Sequence, residues 1–226
     1  MIRGKKYRES VKKYNAATYY DLGEALGLVK SMAAAKFDET VDISVKLNMK
    51  KSQSVRDTVV LPHQFRGEKK VLVFCKAEKE KEAQEAGATY IGAEDLIEKI
   101  KGGWLDFDIA VATPDMMKDV GKLGMILGRR GLMPNPKTGT VTFDLKTALA
   151  ELKKGRVEFR ADKTGVVHLA VGKVSMESEK IAENVEAVVT EIKRKRPVDA
   201  KGEFIQTVSV SSTMGPGVWV AVKDGE

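Results

Sequence analysis

The sequence predicts a two-layer α+β domain that is split by an inserted α/β domain. Near both ends of the chain, apolar and polar residues alternate as they do in strands with one buried face. Between them, the continuous apolar run VLVFC at 71–75 opens an alternation of strands and helices that is typical of a parallel sheet. The segment 156–173 returns the chain to its first pattern. We therefore expect 1–67 and 159–226 to form the split domain and 68–158 to form the insertion.

The first helix and strand of the split domain have clear signals. A helix is predicted to begin at Asp21, because Glu24 follows three residues later as in a capping box, and to end near Ala35. The next segment alternates strictly, which predicts a strand with one face in water. Its inward residues are Val41, Ile43, Val45 and Leu47. A second strand is predicted just before Pro62, which cannot donate to a ladder.

The inserted segment repeats strand and helix. After VLVFC we predict a charged helix that stops at Gly87, a strand at 89–92, a helix at 94–101, a strand at 109–112 and a closing helix over 144–152. Helices that follow each buried strand must pack on the faces of the sheet. This order predicts a three-layer, Rossmann-like arrangement.

The segment 156–173 predicts two short strands around a tight polar turn. Apolar residues alternate with polar ones on both sides of the turn Asp162–Gly165, as in a half-buried hairpin. Gly165 can adopt the positive φ that such a turn often requires, and Asp162 can bond the backbone of its own loop. A rigid loop that carries Lys163 and Thr164 is a candidate contact surface.

A long amphipathic helix and two more strands complete the predicted split domain. The helix is marked by Ile181, Val185, Val188 and Ile192, and its last turn is the basic run 193–196. Cations there suit the negative end of the helix dipole, while a phosphate contact is the alternative. The last two strands are joined by the loop 213–217.

The positive charge is concentrated at the front of the chain. The formal charge of the 226 residues is +7, and residues 1–67 carry +6 of it. The first thirteen residues hold six cations against Glu9, namely Arg3, Lys5, Lys6, Arg8, Lys12 and Lys13. Such a segment suits a polyanion such as nucleic acid, with a solvated arm as the alternative.

Several classes of protein have no support in the sequence. The single Cys75 excludes an internal disulfide, and with only two histidines beside it no metal cluster is expected. No window approaches the run of about 18 apolar residues needed to cross a bilayer, and the first twenty residues are polar and basic. We therefore expect a cytoplasmic protein with no cofactor, no metal and no membrane partner.

A nucleotide-binding enzyme is the competing interpretation of the insertion. Four glycines suggest a phosphate loop, namely Gly121, Gly124, Gly128 and Gly131. Their spacing matches neither the dinucleotide fingerprint nor the P-loop, so turns and close packing explain them more simply. No nucleophile, base and acid set is recognisable, so the sequence predicts no catalytic residue.

Five motifs identify a family. The stretch GKLGMILGRRGLMPNPKTGTV at 121–141 closely resembles bacterial ribosomal protein L-one, the side-stalk protein of the large ribosomal subunit. The other matching motifs, in the same order as in the family, are KFDETVDISVKL, VATPDMM, FRADKTGVVH and STMGPG. The resemblance covers essentially the whole chain, and the family fold is a split α+β domain with an inserted α/β domain.

The resemblance implies an RNA-binding structural and regulatory protein that is not an enzyme. It implies binding to the stalk helices of large-subunit ribosomal RNA, repression through a similar element in its own messenger leader, a part in releasing exit-site transfer RNA, and a monomer when free of the ribosome. The implied RNA-binding residues are Lys36, Phe37, Thr40, Asp162, Lys163, Thr164, His168, Ser211, Thr213, Met214 and Gly215. Hydroxyls and backbone groups suit 2′-OH and phosphate, and Lys neutralises charge.

Two positions depart from the family pattern. Asp57 stands where the family usually has glycine in the strand before the linker, and Arg129 stands where it usually has proline. Both lie outside the split-domain motifs, and Arg129 adds a cation to the insertion.

Overall fold

The protein is a mixed α/β molecule with several sheets, as predicted at that level. The computed structural model describes residues 4–50, 55–65, 67, 69–153, 155–197 and 202–221. The chain divides into two compact units, Met1–Phe65 with Val157–Glu226 and Arg66–Arg156.

The helices and strands follow one another along the whole chain. The helices are α1 Lys5–Val11, α2 Leu22–Met32, α3 Ala77–Glu85, α4 Glu94–Lys101, α5 Met117–Val120, α6 Gly124–Arg130, α7 Leu145–Lys153 and α8 Ser178–Arg194. The strands are β1 Thr40–Leu47, β2 Arg56–Val60, β3 Val71–Phe74, β4 Tyr90–Gly92, β5 Ile109–Ala112, β6 Arg156–Arg160, β7 Val166–Lys173, β8 Ile205–Ser212 and β9 Val218–Val220.

A four-stranded antiparallel sheet is the centre of the unit that contains both chain ends. Its strand order is β7-β1-β8-β9. The four predicted inward residues of β1 are all buried, while the residues between them are half-buried on the other face. The apolar faces of α2 and α8 share the core with this sheet, so helices cover one face of it.

The predicted hairpin at 156–173 is wrong in its pairing. The turn forms as expected, but β6 pairs with β2 in a separate two-stranded sheet, while β7 pairs with β1. The described contact between the two segments is a single bridge at Ala161 and Val167, beside which Asp162 N donates to Val166 O at 2.9 Å. Ala161 N donates instead to Val55 O at 2.8 Å, so the chain changes sheets at the turn.

Helix α2 ends at Met32, three residues before the predicted end. Side chains of the preceding segment bond the final carbonyls: Lys13 Nζ donates to Ser31 O at 2.9 Å and Ser10 Oγ to Met32 O at 3.4 Å. Ala33 is extended, with ψ 114°, and the backbone then turns toward Glu39. Tertiary hydrogen bonds thus override the helix propensity of the run AAA.

The second unit has the predicted parallel sheet, in the order β4-β3-β5. Strand β3 is buried on both faces, because Val71 and Val73 join one apolar cluster while Leu72 and Phe74 join the other. The first cluster includes residues of α3 and α7, and the second includes residues of α4 and α6. Helices therefore pack on both faces of this sheet.

Three of the four glycines between 121 and 131 are neither turn residues nor tightly packed. Gly121, Gly124 and Gly128 are helical, and a Cβ built on any of them meets no atom within 4 Å. The expectation of turns and close packing is wrong for these three. Gly131 fits it, since its φ of +71° ends α6 in the left-handed conformation. Because the segment with Gly121, Gly124 and Gly128 is helical, it does not form a loop whose free backbone N–H groups could bind a phosphate.

Candidate nucleic-acid interface

The residues implied in RNA binding lie at two ends of the four-stranded sheet. One group surrounds the first residue of β1, and it comprises Lys36, Phe37, Thr40, Ser211, Thr213, Met214 and Gly215. The other group, Asp162, Lys163 and Thr164, lies at the far end, where Leu47 N donates to Gly165 O at 2.8 Å. Six residues of extended strand separate the groups, which corresponds to about 20 Å. His168 lies between them on the face that the helices leave open.

Thr40 and Thr213 are tied together by three hydrogen bonds. Thr213 N donates to Thr40 O at 3.0 Å, and the Thr213 hydroxyl donates to the same oxygen at 3.2 Å. In return, Thr40 N donates to Thr213 Oγ1 at 3.0 Å. The Thr213 hydroxyl, which the family resemblance implies for RNA binding, is therefore engaged with the protein backbone. It has only its remaining lone pair for a ligand.

Glu39 joins the loop before β1 to the loop after β8. It is 1% exposed, and its two carboxylate oxygens accept from Ala35 N at 2.9 Å and from Met214 N at 3.0 Å. Burial by itself would raise the pKa of Glu39, but these N–H donors, with help from Ala34 N and the Ser212 hydroxyl, hold the pKa below its usual value. Glu39 is thus an ionised buried group whose hydrogen bonds fix two loops.

Sequence reasoning missed Glu39, although a signal for it existed. In the segment KFDET it reads as one of several solvated charges. However, Glu39 lies two residues before Val41 and four before Ile43, so alternation places it on the same face as these core residues. A carboxylate that continues an inward phase must be buried, and it must then find donors.

Gly215 is required by packing beneath the loop. A Cβ at this position would lie 2.5 Å from Ser212 Oγ, which is itself buried. A Cβ at Gly215 would therefore point into the protein, and the absence of a side chain there allows the loop to pack over Ser212. Ser212 Oγ has no hydrogen bond of good geometry within the described residues, and it lies near the Glu39 carboxylate.

Two large apolar side chains project from these fixed loops. Phe37 is 57% exposed and Met214 is 65% exposed, and Lys36 beside them is also exposed. A phenylalanine taken by itself is more often found in a core, but Phe37 is on the surface. Exposed apolar groups next to a cation, on loops held by a buried carboxylate, form a preformed surface for a ligand with both charge and flat rings.

The far group is a loop shaped by its own aspartate. Asp162 accepts from Thr164 N and Val166 N, both at 2.8 Å, and from the Thr164 hydroxyl at 2.7 Å. These donors, led by Val166 N, lower the pKa of Asp162. Gly165 has the predicted positive φ, +80°. Asp162 therefore supports the loop, and Lys163 is left exposed at its tip.

The open face of the sheet carries short polar side chains. Ser44 Oγ lies 3.0 Å from Nδ1 of His168, and the register places Ser44 opposite both His168 and Ser209. His168 is exposed, since it lies between the inward-facing Val167 and Leu169. Ser211 lies opposite Asp42 on this face.

The basic end of α8 is largely engaged within its own unit. Lys195 Nζ lies 2.5 Å from Oδ2 of Asp57, one of the two departures from the family pattern, and Arg194 pairs with Glu191 at 2.5 Å. The hydrogen bond with Asp57 raises the pKa of Lys195. These contacts favour the capping interpretation of the cluster over a phosphate contact.

Arg129, the other departure from the family pattern, is exposed in the last turn of α6.

Two kinds of feature are absent from the part of the chain that the structure describes. No three His, Cys, Asp or Glu side chains lie close enough there to hold a metal ion. No helix within the same residues is long and apolar enough to span a bilayer. Arg3, one of the six cations at the front of the chain, lies outside the described residues.

The sequence matches one protein family over most of its length. The sequence model of the Ribosomal protein L1p/L10e family matches residues 29–216. The chain belongs to this family, and it is therefore a ribosomal protein of the large subunit with a structural role, not an enzyme. Membership places it on the ribosome, in the bacterial cytoplasm.

Full-length relatives agree with this assignment. The chain is 67% identical over 226 residues to a Treponema denticola protein named large ribosomal subunit protein uL1, and the match covers 100% of both chains. A Treponema pallidum protein of the same name is 61% identical over the same length. A Borrelia duttonii relative, also so named, is 59% identical over 215 residues, which are 95% of this chain and 96% of that one.

Proposed function

We propose that the protein binds the stalk helices of large-subunit ribosomal RNA through the unit that contains both chain ends. The observation that carries this proposal is the surface of Lys36, Phe37 and Met214, which project from two loops that Glu39 holds together. A preformed surface loses little conformational entropy when it binds. Exposed apolar groups flanked by cations suit the sugars, bases and phosphates of folded RNA.

Each implied residue has a role that its position permits. Lys36 and Lys163 neutralise phosphates, while Phe37 and Met214 pack on sugars or bases. Hydroxyl and imidazole groups on the open face and on the loops at its two ends hydrogen-bond to 2′-OH and phosphate oxygens. These are the side chains of Thr40, Thr164, His168, Ser211 and Thr213. Asp162 and Gly215 act indirectly, the first by shaping its loop and the second by letting its loop pack over Ser212.

We extend the proposal to two further RNA partners. A similar element in the leader of the protein's own messenger would compete for the same surface, which makes the free protein a translational repressor. Contact with transfer RNA at the exit site would couple the stalk to release of that tRNA. In this proposal the protein is a monomer when it is free of the ribosome.

We also propose a domain description for the two units. The unit with both chain ends is a split, two-layer α+β domain, and Arg66–Arg156 is an inserted, three-layer, Rossmann-like α/β domain. The helices on one face of the first sheet and on both faces of the second support this description. In this proposal, specific RNA recognition belongs to the split domain.

Binding of defined RNAs tests the proposal. The purified protein is titrated at 0.15 M salt, about physiological, with the stalk fragment of ribosomal RNA, with its messenger leader, and with an unrelated hairpin of equal length. We expect the stalk fragment and the leader to bind far more tightly than the hairpin and to compete with each other. Equal affinity for all three RNAs would show that binding is non-specific and electrostatic, which would contradict the proposal.

A further inference from the structure

A pair of exposed aromatic rings lies beside the proposed interface, and neither ring is among the residues assigned to it above. Trp219 on β9 is 38% exposed and Tyr19 is 56% exposed. Their ring centroids are 6.3 Å apart, with the planes tilted by 40°. The pair is therefore an aromatic surface open to solvent, and such surfaces commonly mark interaction sites.

The backbone around both rings is held in place. Tyr20 N donates to Trp219 O at 3.0 Å and Ala221 N donates to Tyr20 O at 2.8 Å, which attaches the segment before α2 to the outermost strand. The Tyr14 hydroxyl donates to Gly217 O at 2.9 Å, so the end of the basic front segment is attached to the loop between β8 and β9. The rings are presented by fixed backbone.

Strand register places Trp219 in one row with His168. Trp219 lies opposite Ser209, Ser209 lies opposite Ser44, and Ser44 lies opposite His168. Residues directly opposite in antiparallel strands share a face of the sheet. The row therefore crosses all four strands on the face that the helices leave open, over about 14 Å. The aromatic pair extends the proposed RNA surface to the outermost strand.

The positive charge of the front segment indicates which kind of partner suits these rings. Residues 4–20 carry five cations and one anion, and Lys5, Arg8 and Lys12 among the cations are exposed. Four of the five tyrosines also fall within the first twenty residues, so rings and cations are interleaved. Aromatic side chains that lie beside cations are how proteins bind unpaired nucleotides, by stacking on bases and neutralising phosphates.

We propose that Trp219 and Tyr19 form a stacking platform for an unpaired base of the bound RNA. This inference rests on the proposed function and adds to it a contact with a single-stranded nucleotide. The surface also explains why a large ring occupies the solvent face of β9, where Val218 and Val220 already supply the buried contacts.

Fluorescence of Trp219 itself tests the platform. The chain has two tryptophans, so Trp104→Phe leaves Trp219 as the single reporter. We expect its emission to fall in proportion to bound stalk RNA until one RNA per protein is reached, because a stacked base quenches indole. Emission that stays constant while the RNA binds stoichiometrically would overturn the inference.

Affinity measurements give an independent readout. Trp219→Leu keeps apolar bulk but removes the ring, and we expect it to weaken stalk binding about tenfold, while Trp219→Phe stays within about threefold of the wild type. Phe143→Leu removes an exposed ring from the other unit and should leave the affinity unchanged. Equal affinity for Trp219→Leu and the wild type would overturn the platform. If Trp219→Leu fails to fold, the fluorescence titration decides.

The two proposals fail in different ways. If RNA binds tightly and responds to Lys36 and Phe37 but not to Trp219, only the stacking platform is wrong. If the stalk fragment binds no better than an unrelated hairpin, the proposed function is wrong and the platform is overturned with it.

Discussion

The backbone N–H of Met214 donates a hydrogen bond of 3.0 Å to Oε2 of Glu39, a residue 175 positions away in sequence. The other carboxylate oxygen accepts from Ala35 N. One buried side chain thus sets the separation of the two loops that expose Phe37 and Met214. The affinity of this surface should depend on a residue that no ligand can reach.

Glu39→Gln should lower both stability and RNA affinity. Glutamine offers one acceptor and one NH₂ group in place of two acceptors, so one loop N–H loses its partner. We expect the free energy of unfolding at pH 7 to fall by about 1–3 kcal/mol. Urea unfolding measures this loss, and Glu179→Gln, an exposed change on α8, should stay within about 0.5 kcal/mol of the wild type.

The contribution of Glu39 should disappear in acid. Its pKa in the folded protein lies below the ordinary value of 4.5, so the carboxylate stabilises the fold above that pH and loses this effect as the pH falls through the folded pKa. The difference in unfolding free energy between wild type and Glu39→Gln should therefore narrow below pH 4.5. Unfolding curves between pH 7 and pH 3, about the range in which carboxylates titrate, provide the measurement. A constant difference would show that ionisation of Glu39 is irrelevant.

Thr213→Val should affect folding as well as binding. The valine keeps the shape of the side chain, but it leaves Thr40 N without its acceptor and removes a donor to Thr40 O. We expect a loss of about 1 kcal/mol of unfolding free energy together with weaker stalk binding. Thr213→Ser retains the hydroxyl and serves as the control in both assays. An unchanged melting temperature in Thr213→Val would contradict the hydrogen bonding described above.

The salt dependence of RNA binding should distinguish the role of Lys36 from that of Phe37. The logarithm of the binding constant for stalk RNA should fall linearly with the logarithm of salt concentration. Lys36→Ala should make the slope shallower by about 0.7–0.9, which is the value of one phosphate contact. Phe37→Leu should weaken binding at every salt concentration and keep the wild-type slope. If both variants changed the slope equally, the assigned roles of charge and stacking would be wrong.

The split unit should bind RNA alone. Its apolar core is formed entirely by residues of Met1–Phe65 and Val157–Glu226, so a short linker in place of Arg66–Arg156 removes none of that core. We expect this shortened chain to fold, as judged by circular dichroism, and to keep most of the affinity for the stalk fragment. A folded product with little affinity would assign recognition to the inserted unit.

The order of apolar and polar residues predicted the fold well wherever burial determines that order along an element. The phase of β1 and the double burial of β3 follow directly from alternation and from a continuous apolar run. Pairing partners did not follow, because β6 and β7 have the alternation of a hairpin whether they pair with each other or with β2 and β1.

The candidate site was predicted less completely, since its supports are tertiary. Resemblance supplied the exposed residues, but the role of Glu39 depends on an N–H that arrives from the far end of the chain. The Thr213 hydroxyl was expected to hydrogen-bond to RNA. Only the folded structure shows that it also hydrogen-bonds to the backbone of Thr40. Trp219 was overlooked, although its position between the inward-facing Val218 and Val220 indicates the solvent face of the strand.

The attachment of Tyr20 to β9 has a consequence for self-association. Strand β9 ends the sheet, and its outer hydrogen-bonding groups would be an open template for another chain. Tyr20 occupies Trp219 O and Ala221 N on that side. The segment before α2 therefore protects the edge strand from pairing with another chain. A chain that lacked the residues before Asp21 would expose this edge beside a large aromatic side chain, and that combination promotes aggregation.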